Sequence, residues 1–254
     1  MRMFGKISGA LLATAAAFSA SSASAGVFFT SASATTTAFA SAKIGAAPAV
    51  TQTQTAAGTI TSINNLLRVA TAAVAASNTV RASALSSANA TFFSAGAGSF
   101  EDNSQTSVSS NRANGVTNAR AGNYSFTYKF TTNSSENFQL IYALSENHGV
   151  VGNLAIAKLA GPGGAFTQSI PLNGSGTVNS VLGTGSYTLT FTSAFENVLS
   201  LSGAGALNGI SGDRYDFSIS SIPEPATWAM MLVGFGFVAG AARRRRSAGT
   251  SVLA

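Results

Sequence analysis

Two acidic groupings in the middle of this sequence are its best candidates for chemistry. One is Glu101-Asp102, and the other is Asp213 with Asp216. Paired carboxylates can act as acid and base in glycoside hydrolysis, and carboxylates with carbonyl oxygens can hold Ca²⁺. Neither grouping has the ligand spacing of an EF-hand, and aspartates beside turns are common for turn chemistry alone. The sequence therefore leaves a structural calcium site open and makes a glycosidase the weaker alternative.

The single histidine and the lack of cysteine limit the nucleophilic chemistry that the sequence predicts. His148 lies in SENHGVVG, which is typical of a turn, and no G-x-S-x-G motif places a serine nucleophile beside it. A chain without cysteine has no disulfide, no thiolate nucleophile and no cysteine-ligated zinc. We therefore expect a protein that is not an enzyme and needs no cofactor, with His148 solvated in a loop. A hydrolase with a weakly marked site is the remaining alternative.

The tyrosines of the sequence suggest sugar binding as a separate hypothesis. All of them fall in candidate strands: Tyr124, Tyr128, Tyr142, Tyr187 and Tyr215. Aromatic rings on a sheet can stack on sugar rings, or they can pack in a core and across strands. The strand-like spacing favours core packing, and a carbohydrate-binding β-sandwich module stays the alternative.

The elements that would position these residues are short strands that begin near residue 90. The stretches YSFTYKFTT, GSYTLTFTS and DRYDFSISS alternate large apolar residues with polar ones, which is the period of a half-buried strand. Further candidates are NFQLIYALS, GNLAIAKLAG and GAFTQSIPL, and glycine, asparagine and proline turns separate them. We predict a mainly β fold, an antiparallel jelly-roll-like β-sandwich over residues 90–221.

Residues 26–89 have a different composition, rich in alanine, serine and threonine. Stretches such as TSASATTTAFASA and TQTQTAAGT have few large apolar residues to offset the entropy of ordering the chain. We expect a low-complexity extension that is partly disordered or packs on the sandwich. Within it, Ile63–Ala76 fits either an amphipathic helix or a strand, and the pattern leaves both open.

The net charge of +6 is concentrated near the two ends of the sequence. Arg2 and Lys6 lie at one end, and four consecutive arginines lie near the other. Between Gly26 and Ser221, eight basic residues stand against seven acidic ones, so this stretch is nearly neutral. Because binding to nucleic acid needs a clustered basic face, we predict no nucleic-acid partner.

Residues 1–25 have the parts of a secretory signal peptide. A positively charged start precedes the apolar stretch Ile7–Phe18, and Ala23-Ser24-Ala25 forms an A-x-A cleavage site before Gly26. We predict a signal helix, export through Sec-type machinery across the inner membrane, and cleavage by signal peptidase near Gly26. A cut a few residues earlier is the alternative, because Ala20 and Ala23 offer similar small-residue contexts.

A second apolar stretch, Ala226–Ala242, has 17 residues without a charge. This length is at the lower limit for a helix that spans a bilayer, and Trp228 lies near one boundary, where its ring prefers the interface. Basic residues favour the cytoplasmic side, so the rest of the chain is expected on the far side. The residues that carry this topology signal are Arg243, Arg244, Arg245 and Arg246. We predict a single C-terminal transmembrane helix.

The order of motifs over residues 222–247 is more specific than any one of them. A Pro-Glu-Pro motif is followed by a Trp-Ala pair, a Gly-Phe-Gly motif and the arginine cluster: Pro223, Glu224, Pro225, Trp228, Ala229, Gly234, Phe235 and Gly236. This order resembles the PEP-CTERM sorting signal in its Trp-Ala variant, from Gram-negative bacteria that make exopolysaccharide. The resemblance implies that an exosortase, a membrane-embedded enzyme resembling cysteine proteases, cleaves near Pro-Glu-Pro and removes the anchor.

The physical properties of the two prolines fit this role. Proline has no backbone N–H and disfavours helix in the residue before it. Pro223 and Pro225 therefore keep the segment extended, where a membrane-embedded enzyme can bind it. We expect an exported, non-enzymatic protein of the cell surface, exopolysaccharide matrix or biofilm, held by the membrane until it is processed.

Overall fold

The computed structural model describes residues 26–77, 79–145, 154–171, 173–194, 197–222 and 230–239. The chain divides into two compact units, Met1–Ser221 and Ile222–Ala254. The predicted signal helix at residues 1–25 and His148 lie outside the described residues.

The first unit is built from strands, and the described residues contain no helix before residue 230. In chain order the strands are β1 (Val27–Ile44), β2 (Val50–Ile60), β3 (Leu67–Ser77), β4 (Val80–Ser94), β5 (Ala97–Ser110), β6 (Gly115–Thr132), β7 (Glu136–Ser145), β8 (Leu154–Ala160), β9 (Phe166–Pro171), β10 (Ser175–Leu182), β11 (Gly185–Ser193), β12 (Asn197–Ser202) and β13 (Gly205–Ser221).

Two antiparallel sheets pack face to face, which confirms the predicted β-sandwich. The first sheet has the order β2-β1-β6-β11-β8-β9, and the second has the order β10-β7-β13-β5-β4-β3. Strand β12 also pairs with β6, over Val116–Ala121, while β11 pairs with Tyr124–Thr132 of the same strand. One long strand, β6, therefore has β1 along one edge and β11 followed by β12 along the other.

Residues 26–89 differ from the extension that the composition predicts. They form β1, β2, β3 and most of β4, which occupy one side of both sheets. The ambiguous stretch after Ile63 becomes strand β3 and pairs with β4 over its whole length. In β1 alanine alternates with serine or threonine, so the alternation of apolar and polar residues is weak in the sequence. The alanines of β1 are nevertheless buried.

The core between the sheets has two parts. The aromatic cluster combines large rings with aliphatic side chains: Val27, Ala32, Ala34, Leu67, Val69, Ala88, Ala90, Phe100, Tyr124, Phe126, Tyr128, Phe130, Phe138, Leu140, Leu144, Ala155, Ala157, Leu159, Ile170, Leu182, Tyr187, Leu189, Phe191, Tyr215, Phe217 and Ile219. Neighbouring rings touch across the sheets: Phe100 and Phe126 have centroids 4.6 Å apart, and Phe191 and Tyr215 have centroids 4.3 Å apart. The alanine cluster consists of small side chains and three larger ones: Ala38, Ala40, Ala42, Ala73, Ala75, Val80, Ala82, Ala84, Val108, Ala119, Ala121 and Leu199.

A polar band separates these two clusters. Along β5 the inward-facing residues change from Phe100 to polar side chains and then to Val108. The band comprises Thr36, Ser86, Asp102, Ser104, Thr106, Asn197, Ser211 and Asp213, all buried. Many of its groups bond to one another: the Ser104 and Ser211 hydroxyls are 2.5 Å apart, and Thr106 Oγ1 donates to Asn197 Oδ1 at 2.6 Å. Hydrogen bonding of this kind makes it feasible to bury polar groups in the middle of a sandwich.

The alanine cluster leads to a test of packing with two adjacent residues of β3. Ala73 is fully buried, whereas Ala72 points out of the sheet and is exposed. Ala73→Leu should lower the free energy of unfolding by about 1–3 kcal/mol, because a close-packed interior has no room for the added carbons. Ala72→Leu is the matched control and should change it by less than about 0.5 kcal/mol. Urea unfolding of both variants measures the difference, and equal midpoints would contradict the described orientation of β3.

Candidate functional site

The boundary between the two units lies where the predicted sorting segment begins. Strand β13 ends at Ser221, and Ile222 is the last described residue before position 230. The helix α1 follows at residues 230–239. Its large apolar side chains are exposed around the helix, including Leu232, Phe235 and Phe237, which is 76% exposed.

The start of the described chain meets the end of β13 at one pole of the sandwich. The backbone N–H of Gly26 donates to Glu136 Oε1 at 3.0 Å, and the Asn133 N–H donates to the carbonyl of Gly26 at 3.0 Å. Glu136 is the first residue of β7 and is paired in register with Ser221. We call Gly26, Glu136 and Ser221 the junction pole, because the two segments predicted to direct export and sorting join the sandwich there.

Comparison with protein-family models identifies the segment that follows β13. Residues 221–246 match the family model described as the PEP-CTERM protein-sorting motif. The chain carries a PEP-CTERM sorting motif. No curated protein and no solved structure matches the chain significantly. The PEP-CTERM motif implies a substrate of the exosortase sorting system, and it suggests an exported protein that is processed at the membrane.

The PEP-CTERM motif begins at the last residue of the sandwich, so no linker lies between the body and the sorting segment. The motif residues Gly234, Phe235 and Gly236 lie in α1. Apart from the backbone of α1 itself, no described atom comes within 4 Å of the point at which a Cβ of Gly236 would stand. The Trp-Ala variant stays a prediction. Several residues of the predicted signals lie outside the described residues: Ala23, Ala25, Pro223, Glu224, Pro225, Trp228, Ala229, Arg243, Arg244, Arg245 and Arg246.

None of the described helical residues forms a segment with enough length and apolar character to cross a membrane.

The two acidic groupings, which are far apart in the sequence, meet across β5 and β13. In the antiparallel register, Asp102 pairs with Asp213 and Glu101 pairs with Arg214. Successive side chains of a strand point to opposite faces, so the Asp102–Asp213 pair faces the interior of the sandwich and the Glu101–Arg214 pair faces outward. The sequence identified these residues, but it could not predict that they are neighbours, because strand order and register are not visible in it.

The outward-facing groups form a charge network on the second sheet. Arg214 Nε donates to Asp216 Oδ2 at 2.8 Å, and Arg214 Nη1 donates to Glu101 Oε1 at 3.1 Å. Partial burial alone would raise the pKa of Asp216, but the hydrogen bond and charge of Arg214 hold this pKa below its usual value. Since Arg214 and Glu101 are about half exposed, the network contributes little to stability.

The inward-facing pair belongs to the polar band. Both carboxyl oxygens of Asp102 are buried without a hydrogen-bond partner among the described residues. Tyr124 Oη donates to Asp213 Oδ2 at 2.6 Å and lies 2.8 Å from Tyr215 Oη. Burial, together with the charge of Asp213, raises the pKa of Asp102 well above its usual value. The Asp102 carboxyl is therefore expected to hold a proton at a pH where an exposed aspartate has lost it.

The described residues offer limited support for metal or catalytic chemistry. They contain no group of three or more histidine, cysteine, aspartate or glutamate side chains that could hold a metal ion. The calcium hypothesis is thus left with Asp102 and Asp213 as its carboxylates. The pair lies in the interior of the sandwich, away from the surface that a polysaccharide substrate could reach.

The aromatic residues are distributed as the core interpretation predicts. Tyr124, Tyr128, Tyr187 and Tyr215 are buried in the aromatic cluster, and Tyr142 is partly buried against it. No pattern in the sequence distinguishes Phe93, which is 71% exposed on β4. The register of β4 against β5 shifts between Phe92 and Ser94, and Phe93 lies in this irregularity.

Phe93 lines a shallow depression on the outer face of the second sheet. The remaining lining residues come from β4, β5 and β13: Asn89, Thr91, Ser99, Glu101 and Arg214. An exposed ring beside hydrogen-bonding and charged groups is the combination that protein sites use to hold a small polar ligand with an apolar face.

The raised pKa of Asp102 predicts how stability changes with pH. Below the pKa of an unfolded aspartate, about 3.9, both states are protonated and burial of Asp102 has no ionisation cost. Above it the folded state holds the proton more tightly, so the free energy of unfolding falls as pH rises towards the folded pKa. The slope from one proton is at most about 1.4 kcal/mol per pH unit.

Asp102→Asn should remove this fall, so the variant gains stability relative to the natural protein between pH 4 and pH 8. Urea unfolding across that range, with a chelator present, measures the difference. Glu101→Gln is the control, since Glu101 is the neighbouring residue on the opposite face. If Asp102→Asn and the natural protein show parallel pH profiles, the Asp102 carboxyl is not held in its protonated form.

Proposed function

We propose that this protein is an exported, non-enzymatic component of the bacterial cell surface or exopolysaccharide matrix, sorted and processed by an exosortase. The observation that carries the proposal is the match of residues 221–246 to the PEP-CTERM motif. In this proposal the motif is the substrate segment, with Pro223, Glu224 and Pro225 near the cleavage site. The sandwich, for which jelly-roll-like connections stay a prediction, is the part that the Gram-negative cell delivers to its surface or biofilm.

The geometry of the junction pole supports a stage at which the membrane holds both ends of the body. A signal helix before Gly26 and a transmembrane helix after Ser221 would both lie in the same membrane. The body can meet this requirement without rearrangement, because Gly26 contacts Glu136 and Glu136 is the register partner of Ser221. Signal peptidase would then release the first end, and exosortase would release the second.

The surface of the sandwich supports a role in a hydrated matrix. The edge strand β2 exposes Val50–Thr55, in which threonine alternates with glutamine. Only 9% of the residues are charged, and the basic side chains of the described body are exposed or partly exposed, none of them buried. Such a surface hydrogen-bonds to water and sugars through neutral groups and has little attraction for polyanions.

Replacing both prolines tests the sorting proposal. In an exosortase-containing host, a chain tagged in the sandwich should be shortened after Ser221 and released from the membrane. Pro223→Ala with Pro225→Ala should reduce the released fraction to the level of a host without exosortase, because the segment no longer stays extended. Fractionation and intact mass measure both effects.

The control is Pro48→Ala, which changes an exposed proline in the loop between β1 and β2. It should be released like the natural protein. Equal release of the double-proline variant would contradict the assignment of Pro223 and Pro225 to the recognised segment.

A second candidate function is binding of a carbohydrate at the Phe93 depression. Its support is the exposed ring of Phe93 beside Asn89, Glu101 and Arg214. A sugar could stack its apolar face on the ring while its hydroxyl groups bond to the amide, carboxylate and guanidinium. This candidate is compatible with the sorting proposal, since binding would retain the released protein in the matrix.

Phe93→Ala tests this candidate on a glycan array with the full chain. Loss of one stacked ring should weaken binding by about tenfold. Phe28→Ala is the matched control, because Phe28 is also exposed but lies on β1 of the first sheet. A protein that binds no glycan, or binds equally well in both variants, would rule out the Phe93 depression as a sugar site.

A further inference from the structure

The carboxylate of Glu136 is buried in a way that its described neighbours do not explain. The side chain is 0% exposed, and Oε2 has no hydrogen-bond partner among the described residues. Oε1 accepts two hydrogen bonds, from Gly26 N at 3.0 Å and from Ser134 Oγ at 2.6 Å. A buried carboxylate normally has an opposite charge or several donors, because its desolvation is otherwise costly.

The described basic side chains do not provide that charge. None of them is buried, and the ion pairs formed within the described residues join Arg214 to Glu101 and Asp216, on the outer face of the second sheet. A nitrogen that does donate to the Glu136 carboxylate is the backbone nitrogen of Gly26, which is the residue after the predicted A-x-A cleavage site. In the uncleaved chain this nitrogen is a neutral amide with one proton to donate.

We propose that cleavage before Gly26 creates a new N-terminal ammonium group that forms a buried ion pair with Glu136, so that the sandwich binds its own mature N-terminus. The inference rests on the signal-peptide cleavage included in the proposed function. Hydrolysis of the bond between Ala25 and Gly26 consumes one water, leaves a carboxylate on Ala25, and gives Gly26 an amine that takes up a proton. The ammonium then has three protons and a positive charge at a nitrogen that already lies 3.0 Å from Oε1.

The ammonium would supply the two things that the buried carboxylate lacks, namely an opposite charge and a donor to Oε2. The two oxygens belong to one carboxylate, so an ammonium beside Oε1 can also reach Oε2, which lacks a donor. The carbonyl of Gly26 is fixed by the Asn133 N–H at 3.0 Å, and β1 begins at the next residue. Little conformational entropy remains to be lost when the ion pair forms, because the backbone on the C-terminal side of the new end is already ordered.

This arrangement makes signal-peptide removal a stabilising step in maturation. The same glutamate begins β7 and pairs with Ser221, the first residue of the PEP-CTERM match. A neutralised Glu136 therefore strengthens the end of β13 from which the sorting segment departs. Cleavage at the first junction would then stabilise the residue whose register partner, Ser221, begins the second.

The test compares cleaved and uncleaved full-length chains, purified in detergent. Ala23→Leu with Ala25→Leu keeps the leader attached, since signal peptidase needs small residues at these positions. Glu136→Gln keeps the shape of the side chain and removes its charge. We expect it to lower Tm by about 5 °C or more in the cleaved chain and by about 2 °C or less in the uncleaved chain. Glu101→Gln, an exposed carboxylate, is the control and should shift neither.

Two direct measurements accompany the melting curves. Intact mass should place the mature N-terminus at Gly26, and a mature chain that begins elsewhere overturns the inference. The Gly26 amine should react with an amine reagent about tenfold more slowly in the folded protein than in urea, because the ion pair holds it protonated and shielded. Equal rates overturn the inference, and this comparison remains available if Glu136→Gln does not fold.

The outcome is separable from the sorting proposal. An equal Tm change from Glu136→Gln in cleaved and uncleaved chains would mean that Glu136 has a structural role only, and would overturn the ion pair. Failure of exosortase processing would instead appear as retention of residues 223–254 in the intact mass, whatever the N-terminus shows.

Discussion

Contact between the two sheets through the aromatic cluster is the interaction on which the rest of this structure depends. Tyr128 of β6 and Phe217 of β13 have ring centroids 4.8 Å apart, and Phe100 of β5 lies 4.6 Å from Phe126. The chain has no cysteine, and its described ion pairs lie on the surface. Stability must therefore come mainly from burial of apolar area, and large rings bury the most area per residue.

The aromatic cluster also explains how the weaker half of the sandwich can exist. Alanine gains little from burial, so the alanine cluster alone would offset little of the entropy of ordering β1 to β4. These strands are continuous with the aromatic half: β1 carries Ala34 in one cluster and Ala38 in the other. Cooperative pairing along β6 thus extends order from the large rings, across the polar band, into the part packed with small residues.

The sequence predicted the fold where the alternating residues differed strongly in size and polarity. Tyr124, Phe126 and Tyr128 make β6 recognisable, and four of the five tyrosines are buried in the core as their spacing predicts, while Tyr142 is partly buried. The same alternation in β1 sets alanine against serine or threonine, which differ less in size and hydropathy than aromatic and polar residues do. The composition of residues 26–89 therefore predicts an extension instead of strands. Local pattern does not predict that Asp102 lies opposite Asp213 or that Glu136 accepts from Gly26, because both depend on strand order and register.

The placement of the two clusters relative to the junction pole has a physical consequence. Val27, Phe138 and Ile219 belong to the aromatic cluster and lie within two residues of Gly26, Glu136 and Ser221 along the chain. The alanine cluster lies further along β1 and β6, towards Ala42 and Ala119. Chain ends fray unless they are tied down, and here both junctions are held by the better-packed half. A processing enzyme that acts on the PEP-CTERM segment therefore meets a body whose last strand stays folded as far as Ser221.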